Sequence, residues 1–390
     1  MKHTKLAIYS LAASLIASVL GPVGDALTVQ AILNTMTPDD FFDLANRPTD
    51  ESEYALAAIL PEELRATYEA KAGSLKVIAT PAGETGMDSP YVPVGLMELN
   101  ALSKPIAKWT AESLMTEQQQ RELQQMLLQY RAGLMRGDAV TYLRNFIINW
   151  LNDVIAQAFS DRFELMRGET LFTGQLALRG GTVDFGVPER NRFAKRTGVQ
   201  AYGGADSLLW RDMRAADNIL GSTRTRIMSM NTLNEILDSG KNPLAVTSEQ
   251  ISAGGNIKIV GVRRLIGSQQ TLSLDARESF TLVGYNRRVA IKVGQGYAYQ
   301  QVIPDGKIAV IGSNNVTIDQ TDGTVVRRPG LGRLHVGPTV ENDGRPGIWL
   351  NAYTPQDRPY HAIARGAANA LTILDAAEKL VILDTETEAA

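Results

Sequence analysis

Apolar positions change their spacing along the chain, and each spacing predicts a kind of element. Between residues 112 and 166 they recur every three or four residues, which is the period of one helix face. The repeat begins with Leu123, Met126, Leu127, Tyr130 and Leu134 and continues to Phe159. We therefore predict a long helix here, interrupted near Gly137, where Asp138 offers a fresh N-cap.

Short apolar runs bounded by turn residues predict strands in much of the remaining chain. The predicted strands cover residues 74–80, 224–231, 257–262, 280–283, 289–293 and 307–311. Helices are predicted at 232–238 and at two starts, one at Thr37-Pro38 and one at Pro61. The resulting order is α+β, without the regular strand–helix alternation of a doubly wound parallel sheet.

Residues 74–111 differ from the segments on either side, because they predict two strands around a turn rich in Gly and Pro. A first strand at 74–80 is followed by a turn cluster at 81–90 rich in Gly and Pro, and then by a returning strand at 91–94 and 103–109. Pro93 and Pro105 suit a sheet edge. We expect a long hairpin with little core of its own, packed on something outside its domain.

The first 26 residues support two interpretations. A basic start followed by the apolar run 6–20 is typical of a secretory signal peptide, with 24–26 as a poor cleavage site. The run is short for a membrane span. The alternative is an arm helix with an apolar face made by Leu11, Leu15, Ile16, Val19 and Leu20. Both interpretations stay open.

The composition of the chain excludes several classes of function but does not identify one. The chain has 390 residues, 44% of them hydrophobic and 21% charged, with a net charge of -3, as in an ordinary globular protein. It has no cysteine, which excludes disulfides, thiolate nucleophiles and zinc–thiolate sites. Asp357 lies four residues before His361 and could place a carboxylate beside the imidazole on a helix. The sequence has no plausible Ser or Cys nucleophile elbow, so this pair does not make a catalytic triad. We expect no enzyme, no cofactor and no metal site.

A basic cluster consists of Arg190, Arg192, Lys195 and Arg196. Such side chains attract phosphates without reading sequence. They are equally compatible with a solvated loop, or with salt bridges to the acidic N-terminal arm of a neighbouring copy. We favour the latter two interpretations over phosphate contact.

From residue 139 onward, the order of segments resembles the lambda-like major capsid protein family of tailed bacteriophages, of the major capsid protein E type. A long helix runs into a basic–Gly pair and a Thr-Gly turn, and the later elements follow in the family's order. The segments that carry the resemblance are 164–174 (ELMRGETLFTG), 182–186 (TVDFG), 208–213 (LLWRDM), 226–237 (RIMSMNTLNEIL), 302–310 (VIPDGKIAV), 332–338 (GRLHVGP) and 347–382.

The resemblance implies the α+β Hong Kong 97-type phage capsid fold. It maps an N-terminal arm to 1–73, an extended loop to 74–111, a peripheral domain with a spine helix to 112–222 and 346–390, and an axial domain to 223–345. Residues 362–377 are Ala-rich and favour helix by propensity. The resemblance instead makes 360–367 part of a long strand and 380–384 another, and we follow it because tertiary pairing overrides propensity.

The function implied by the resemblance is that of a major capsid protein. It would assemble in the host cytoplasm, through pentamers and hexamers, into the icosahedral shell of a virion. Expected partners are further copies, scaffold, decoration and portal proteins, and double-stranded DNA on the inner face without sequence recognition. Interface candidates are Val77, Tyr91, Val94, Leu96, Met97 and Trp109.

Two alternatives remain at this point. One is a bacterial shell compartment of the same fold that holds enzyme cargo. The other is a secreted, periplasmic β-rich binding protein with a cleaved signal peptide.

Overall fold

The computed structural model describes residues 29–47, 53–78, 96–132, 134, 139–221, 223–239, 242, 244–252, 254–266, 271–272, 279–294, 296–312, 316–319, 326–355 and 361–387. The chain divides into two compact units. The first unit comprises Met1–Arg47, Lys108–Ser160 and Pro338–Ala368, and the second comprises Pro48–Ala107, Asp161–Gly337 and Asn369–Ala390. The two interpretations of the first 26 residues lie outside the described residues.

The α-helices are α1 (Val29–Leu33), α2 (Pro38–Ala45), α3 (Glu117–Arg131), α4 (Ala139–Trp150), α5 (Gln157–Thr173), α6 (Leu209–Leu220) and α7 (Met230–Asp238). A π-helical segment, Leu151–Ala156, joins α4 to α5.

The strands are β1 (Glu62–Leu64), β2 (Glu69–Ile78), β3 (Leu96–Pro105), β4 (Ala107–Met115), β5 (Gln175–Leu178), β6 (Gly181–Asp184), β7 (Thr223–Ser229), β8 (Leu244–Ile251), β9 (Ile257–Ile266), β10 (Thr271–Leu272), β11 (Ser279–Tyr285), β12 (Arg288–Val293), β13 (Gly296–Gln301), β14 (Lys307–Gly312), β15 (Val316–Asp319), β16 (Val326–Pro329), β17 (Gly332–Gly337), β18 (Trp349–Tyr353), β19 (Ala362–Leu374) and β20 (Leu380–Asp384).

In the first unit, α2 begins where the sequence predicts a helix start. The Thr37 hydroxyl accepts from the Asp40 amide at 3.2 Å, and the Asp40 carboxylate accepts from the Thr37 amide at 2.8 Å. This reciprocal pair is a capping box, which satisfies two amides that the helix leaves without partners. The helix then buries Phe41 and Leu44.

Loss of the cap should loosen α2. Thr37→Ala removes the hydroxyl acceptor, and we expect a loss of about 1 kcal/mol in the local stability of the helix. Hydrogen exchange of the α2 amides measures this loss, and Thr37→Ser, which keeps the acceptor, is the control. Equal exchange in the two variants would contradict the role given to the cap.

The long helical prediction is confirmed in its centre and wrong at its beginning. Helices α3, α4 and α5 carry the predicted stripe, with Leu123, Leu143 and Ile147 buried. Residues 112–115 instead end β4, whose burial alternates along the strand and which pairs with β19. The predicted break at 137–138 lies outside the described residues.

The second unit is built on a mixed sheet with the strand order β10-β9-β11-β7-β14-β20, and β8 pairs with β9. Strand β7 is parallel to β11 and antiparallel to β14, which pairs antiparallel with β20. Helices α6 and α7 pack against this sheet. The buried cluster they share with it includes Leu209, Trp210, Met213, Leu233, Ile236, Val260, Leu282, Val310 and Leu383.

The strand predictions from 224 onward are confirmed, with boundaries shifted by a few residues. The Ala-rich run is also a strand: β19 pairs with β18 through residues 363–367 in the first unit and with β17 through residues 369–374 in the second. Most of its side chains are buried. Small residues suit a strand packed on both faces, and this pairing outweighs their helix propensity.

The helix predicted at Pro61 is wrong. Residues 62–64 form β1, which pairs in parallel with β17. Two glutamates and a leucine after a proline read locally as a helix start. Pairing with β17, and ion pairs from Glu62 to Arg167 and from Glu63 to Arg333, favour the extended backbone instead.

Candidate assembly surfaces

The predicted hairpin is present in the second unit. Strands β2 and β3 pair antiparallel over their full length, and the register places Val77 opposite Met97 and Ile78 opposite Leu96. The returning strand is described over 96–105; the predicted segment 91–94 lies outside the described residues, and the predicted segment 103–109 is divided between the end of β3 and the start of β4. Tyr91 and Val94 lie outside the described residues. The two strands form a two-stranded sheet of their own, and β15 lies beside β2.

Trp109 lies on β4, beyond the hairpin, and is half-buried. Strand β4 belongs almost entirely to the first unit, where Glu112 accepts from Arg365 on β19 at 2.6 Å. Of the candidate interface residues, Val77, Leu96 and Met97 are thus brought together on one hairpin. Trp109 is placed elsewhere.

The members of the basic cluster differ in the contacts that they make. Arg196 donates to both carboxylate oxygens of Asp212, at 2.7 and 2.8 Å, and Asp212 is buried. These hydrogen bonds raise the pKa of Arg196. Tyr202 donates a third bond to the same carboxylate at 3.0 Å. The salt-bridge partner of Arg196 is therefore in its own chain.

Arg192 acts at the end of α5, where its guanidinium donates to the Thr173 carbonyl at 3.0 Å. Basic side chains commonly satisfy the last carbonyls of a helix in this way. Arg190 lies in a short 3₁₀ turn, and Arg190 and Lys195 are exposed to solvent. Contact of these two with phosphate or with an acidic arm stays a prediction.

A buried ionic network holds residues 53–64 against α5. Arg167 is fully buried and donates to the Leu60 carbonyl at 2.9 Å, to Glu164 at 3.2 Å and to Glu62 at 3.0 Å. Glu164, also fully buried, accepts from the Leu56 amide at 2.9 Å and from the Tyr285 hydroxyl at 2.8 Å. Burial raises the pKa of Glu164, while Arg167 and the hydrogen bonds oppose that shift.

The same segment is fixed a second time near its start. Asp161 accepts from Tyr54 at 3.0 Å and from Arg287 at 2.7 Å. The Arg287 guanidinium also lies 4.5 Å from the centre of the Tyr54 ring. Burial, together with the Asp161 charge, raises the pKa of Tyr54. These contacts give the 53–64 segment a single defined position in the second unit.

Within the residues that the structure describes, no group of three or more His, Asp or Glu side chains could hold a metal ion. Across the same residues, no helix has the length and apolar character needed to cross a membrane. The described residues offer a long two-stranded hairpin, exposed basic side chains and a buried network of ion pairs.

Comparisons with known proteins find no match by sequence but do find matches by structure. No protein-family model matches the sequence, and no curated protein does either. By contrast, a crystal structure of a protein assigned as the capsid protein of a prophage of E. coli CFT073 aligns over 90% of this chain and 99% of its own, with a TM-score of 0.53 at 10% identity. The chain has the Hong Kong 97-type capsid fold.

Two further structures align more loosely. A phage-related protein from Bordetella bronchiseptica RB50 covers 92% of this chain and 98% of its own, at 12% identity and a TM-score of 0.45. The capsid protein of the native GTA particle covers 87% of this chain and 93% of its own, at 12% identity and a TM-score of 0.43.

Within the Hong Kong 97-type fold, sequence motifs that carried the resemblance have structural roles. Glu164 and Arg167 of the first motif form the buried network, and the 302–310 motif leads into β14. Sequence reasoning missed Tyr297 and Tyr299, which are 77% and 76% exposed on β13. The preference of tyrosine for strands is the signal that could have identified β13.

Proposed function

We propose that this chain is a phage or prophage major capsid protein that assembles through pentamers and hexamers into an icosahedral shell around double-stranded DNA. The observation that carries the proposal is the shared fold. It extends over nearly the whole chain and nearly the whole of the E. coli prophage protein. A likeness confined to one small domain would leave function open, whereas this one covers 90% of the chain.

The hairpin β2–β3 is the feature best suited to bind a neighbouring copy. Each strand has ten residues, so the hairpin extends about 30 Å. An isolated two-stranded hairpin is marginal in water and gains stability when another surface covers it. We propose that Val77, Leu96 and Met97 lie in that contact, together with Tyr91 and Val94. The arm, extended loop, peripheral and axial domains would keep the boundaries given above.

Other roles follow from the same proposal. The net charge of -3 suits the subunit of a shell that encloses DNA, because a strongly basic subunit would bind the DNA to the inner face. Repeated weak contacts between copies give a stable shell through multivalency. The proposed location is the virion capsid after assembly in the host cytoplasm, with scaffold, decoration and portal proteins as partners. The role is structural rather than enzymatic.

Self-assembly is the direct test. The full chain is expressed alone in a bacterial cytoplasm and examined by negative-stain electron microscopy and native mass spectrometry. Closed shells, or pentamers and hexamers, are the expected products. A monodisperse monomer that does not assemble with or without a crowding agent would overturn the proposal.

The hairpin role has its own test. The double variant Val77→Asp with Met97→Asp places charge at two paired positions of β2 and β3. We expect it to lower the yield of shells at least tenfold while the monomer keeps its far-UV circular dichroism spectrum, because a buried unpaired charge disfavours contact. The matched control is Val77→Ile with Met97→Leu, which stays apolar. Equal shell yields for the two variants would remove the hairpin from the interface.

A further inference from the structure

The β12–β13 hairpin presents one of its two faces almost entirely to solvent. Residues that pair directly across two antiparallel strands point to the same side of the sheet. The register therefore places six side chains on one face: Arg288, Ala290, Lys292, Tyr297, Tyr299 and Gln301. All of them except Gln301 are exposed. We refer to these six residues as the tyrosine–cation face.

The opposite face of the hairpin is the one that packs on the rest of the second unit. It contains Val289, which is 6% exposed, and Ile291, which is half-buried. Buried positions that alternate with exposed ones along a strand are typical of a sheet covered on one side only. The tyrosine–cation face is therefore the solvent side of the hairpin, and it is available to a partner.

Arg288 and Lys292 give this face two positive charges, and residues 288–301 contain no Asp or Glu. Among the residues that the structure describes, neither side chain forms an ion pair or a hydrogen bond. The residue just before the hairpin shows the contrast, because Arg287 donates to Asp161 at 2.7 Å. Two cations without a counter-charge on their own face favour an anionic partner.

One carboxylate lies at an end of the face, where Asp305 is beside Gln301. It already accepts from the Ser229 hydroxyl and from the Asn231 amide, the latter at 3.1 Å. The negative charge of Asp305 is thus engaged by the start of α7 and does not neutralise either cation.

The two tyrosines supply a second kind of contact. Tyr297 and Tyr299 are 77% and 76% exposed and lie two residues apart on β13, a separation of about 7 Å along a strand. Within the described part of the chain, neither hydroxyl forms a hydrogen bond and neither ring contacts another ring or a cation. Each side chain offers an aromatic ring on which a base can stack and a hydroxyl that can donate to a phosphate oxygen.

The make-up of the face distinguishes between two kinds of anionic partner. Lys292 lies directly opposite Tyr297, in the middle of the face, whereas lysine is depleted from the centres of protein–protein interfaces. Nucleic acid combines a regular series of negative charges with flat rings, and proteins bind it with basic side chains and with aromatic rings exposed on a sheet. The face therefore fits nucleic acid better than it fits a second copy of the chain.

We propose that the tyrosine–cation face binds the phosphodiester backbone of nucleic acid without reading its sequence. Arg288 and Lys292 contact phosphates, and the two tyrosines contact the same strand through their hydroxyls or their rings. The proposal rests on the proposed shell function for its ligand, because such a shell encloses double-stranded DNA. Two cations per copy make a weak contact that every copy repeats, which is compatible with a net charge of -3.

Fluorescence anisotropy of a labelled duplex oligonucleotide, titrated with the full chain as unassembled subunits, tests the site. We expect the double variant Arg288→Gln with Lys292→Gln to bind the duplex at least about fivefold more weakly at low salt. The slope of log affinity against log salt should also fall by about 2, since each lost phosphate contact lowers it by about 1. The matched control is Arg179→Gln with Arg211→Gln. It removes the same charge from exposed positions in the β5–β6 turn and on α6, and it should bind nearly as the wild type does.

Tyrosine variants identify which form of nucleic acid the face takes. Tyr297→Phe with Tyr299→Phe removes the hydroxyls and keeps the rings, whereas Tyr297→Ala with Tyr299→Ala removes both. Weaker duplex binding by the phenylalanine variant assigns the hydroxyls to the backbone of a duplex. Tighter binding of a single strand than of a duplex, weakened only in the alanine variant, assigns the rings to the bases of a single strand. Both results support the site.

Three results would overturn it. The wild type binds neither oligonucleotide, the cation variant and its control have equal affinity and salt slope, or the alanine variant loses shells while its affinity for both oligonucleotides is unchanged. The last result would make the face an interface between copies.

Shell yield, measured by electron microscopy, separates this inference from the proposed function. Shells formed by a chain that binds no oligonucleotide contradict the inference alone. Binding that depends on Arg288 and Lys292, in a chain that never assembles, contradicts the proposed function alone.

Discussion

Replacing Arg167 with methionine is expected to destabilise the second unit by about 3–5 kcal/mol. Methionine fills part of the volume but leaves the Leu60 carbonyl without its donor and Glu164 without its cation. Glu164 cannot turn to solvent, since it is fully buried. The remaining donors to it, the Leu56 amide and the Tyr285 hydroxyl, offset only part of that loss.

Urea unfolding followed by hydrogen exchange of residues in the second unit measures this change. Arg121→Met is the matched control, because Arg121 forms an exposed pair with Glu117 on α3 and should lose at most about 0.5 kcal/mol. Should Arg167→Met fail to fold, Arg167→Lys keeps one charge in place and should give an intermediate loss. Similar unfolding midpoints for Arg167→Met and Arg121→Met would show that the buried network contributes little.

The segment that Arg167 anchors would be the first to detach. Residues 53–64 have their backbone tied to α5 through Leu56 and Leu60, while Tyr54 depends on Asp161 and Arg287. In the Arg167→Met variant, exchange should therefore rise earliest at β1 and the residues before it. Such a local effect separates loss of this network from a general weakening of the core.

The sequence predicts elements well where local and tertiary preferences agree. The helix at α4 and α5 follows from its apolar stripe, and α2 follows from a proline, a threonine and an aspartate that make a cap. Prediction fails where the two disagree. At 62–64 the local signal is a helix start, but β17 provides a strand partner more than 260 residues away.

The Ala-rich strand β19 shows why a resemblance adds information that propensity lacks. Alanine favours helix in isolation. The order of motifs around 362–374 identified a fold in which this run pairs on a sheet, and the structure pairs it with β17 and β18. Nothing in the run itself specifies those partners.

The candidate sites were harder to predict than the fold, for a similar reason. The hairpin is local, so its two strands and its tip are visible in sequence. The buried network is not local, because Arg167 donates to the Leu60 carbonyl across 107 residues of sequence. Three arginines and a lysine close together in sequence suggested a basic surface, yet Arg196 pairs with Asp212 and Arg192 donates to the last turn of α5.

Gly306→Ala is expected to cost about 2–5 kcal/mol, and its cause lies in the 302–310 motif. Gly306 has φ +78°, a region that costs an alanine about 1–2 kcal/mol. A Cβ there would also lie 2.2 Å from the Thr385 carbonyl oxygen. Backbone must move to relieve that overlap, which adds about 1–3 kcal/mol. The motif's glycine is thus required by close approach of two backbones.

The movement would disturb bonds on both sides of Gly306. Its amide donates to Thr232 at 2.8 Å, and its carbonyl accepts from the Thr385 amide at 2.7 Å, beside the pairing of β14 with β20. Gly255→Ala is the matched control, since Gly255 has φ +71° and no atom of the described residues lies within 4 Å of an added Cβ. We expect this control to lose only about 1–2 kcal/mol of stability, which is the cost of a positive φ for alanine. Equal urea midpoints for the two variants would show that the contact with Thr385 imposes no constraint, whereas the expected gap measures the cost of separating these strands.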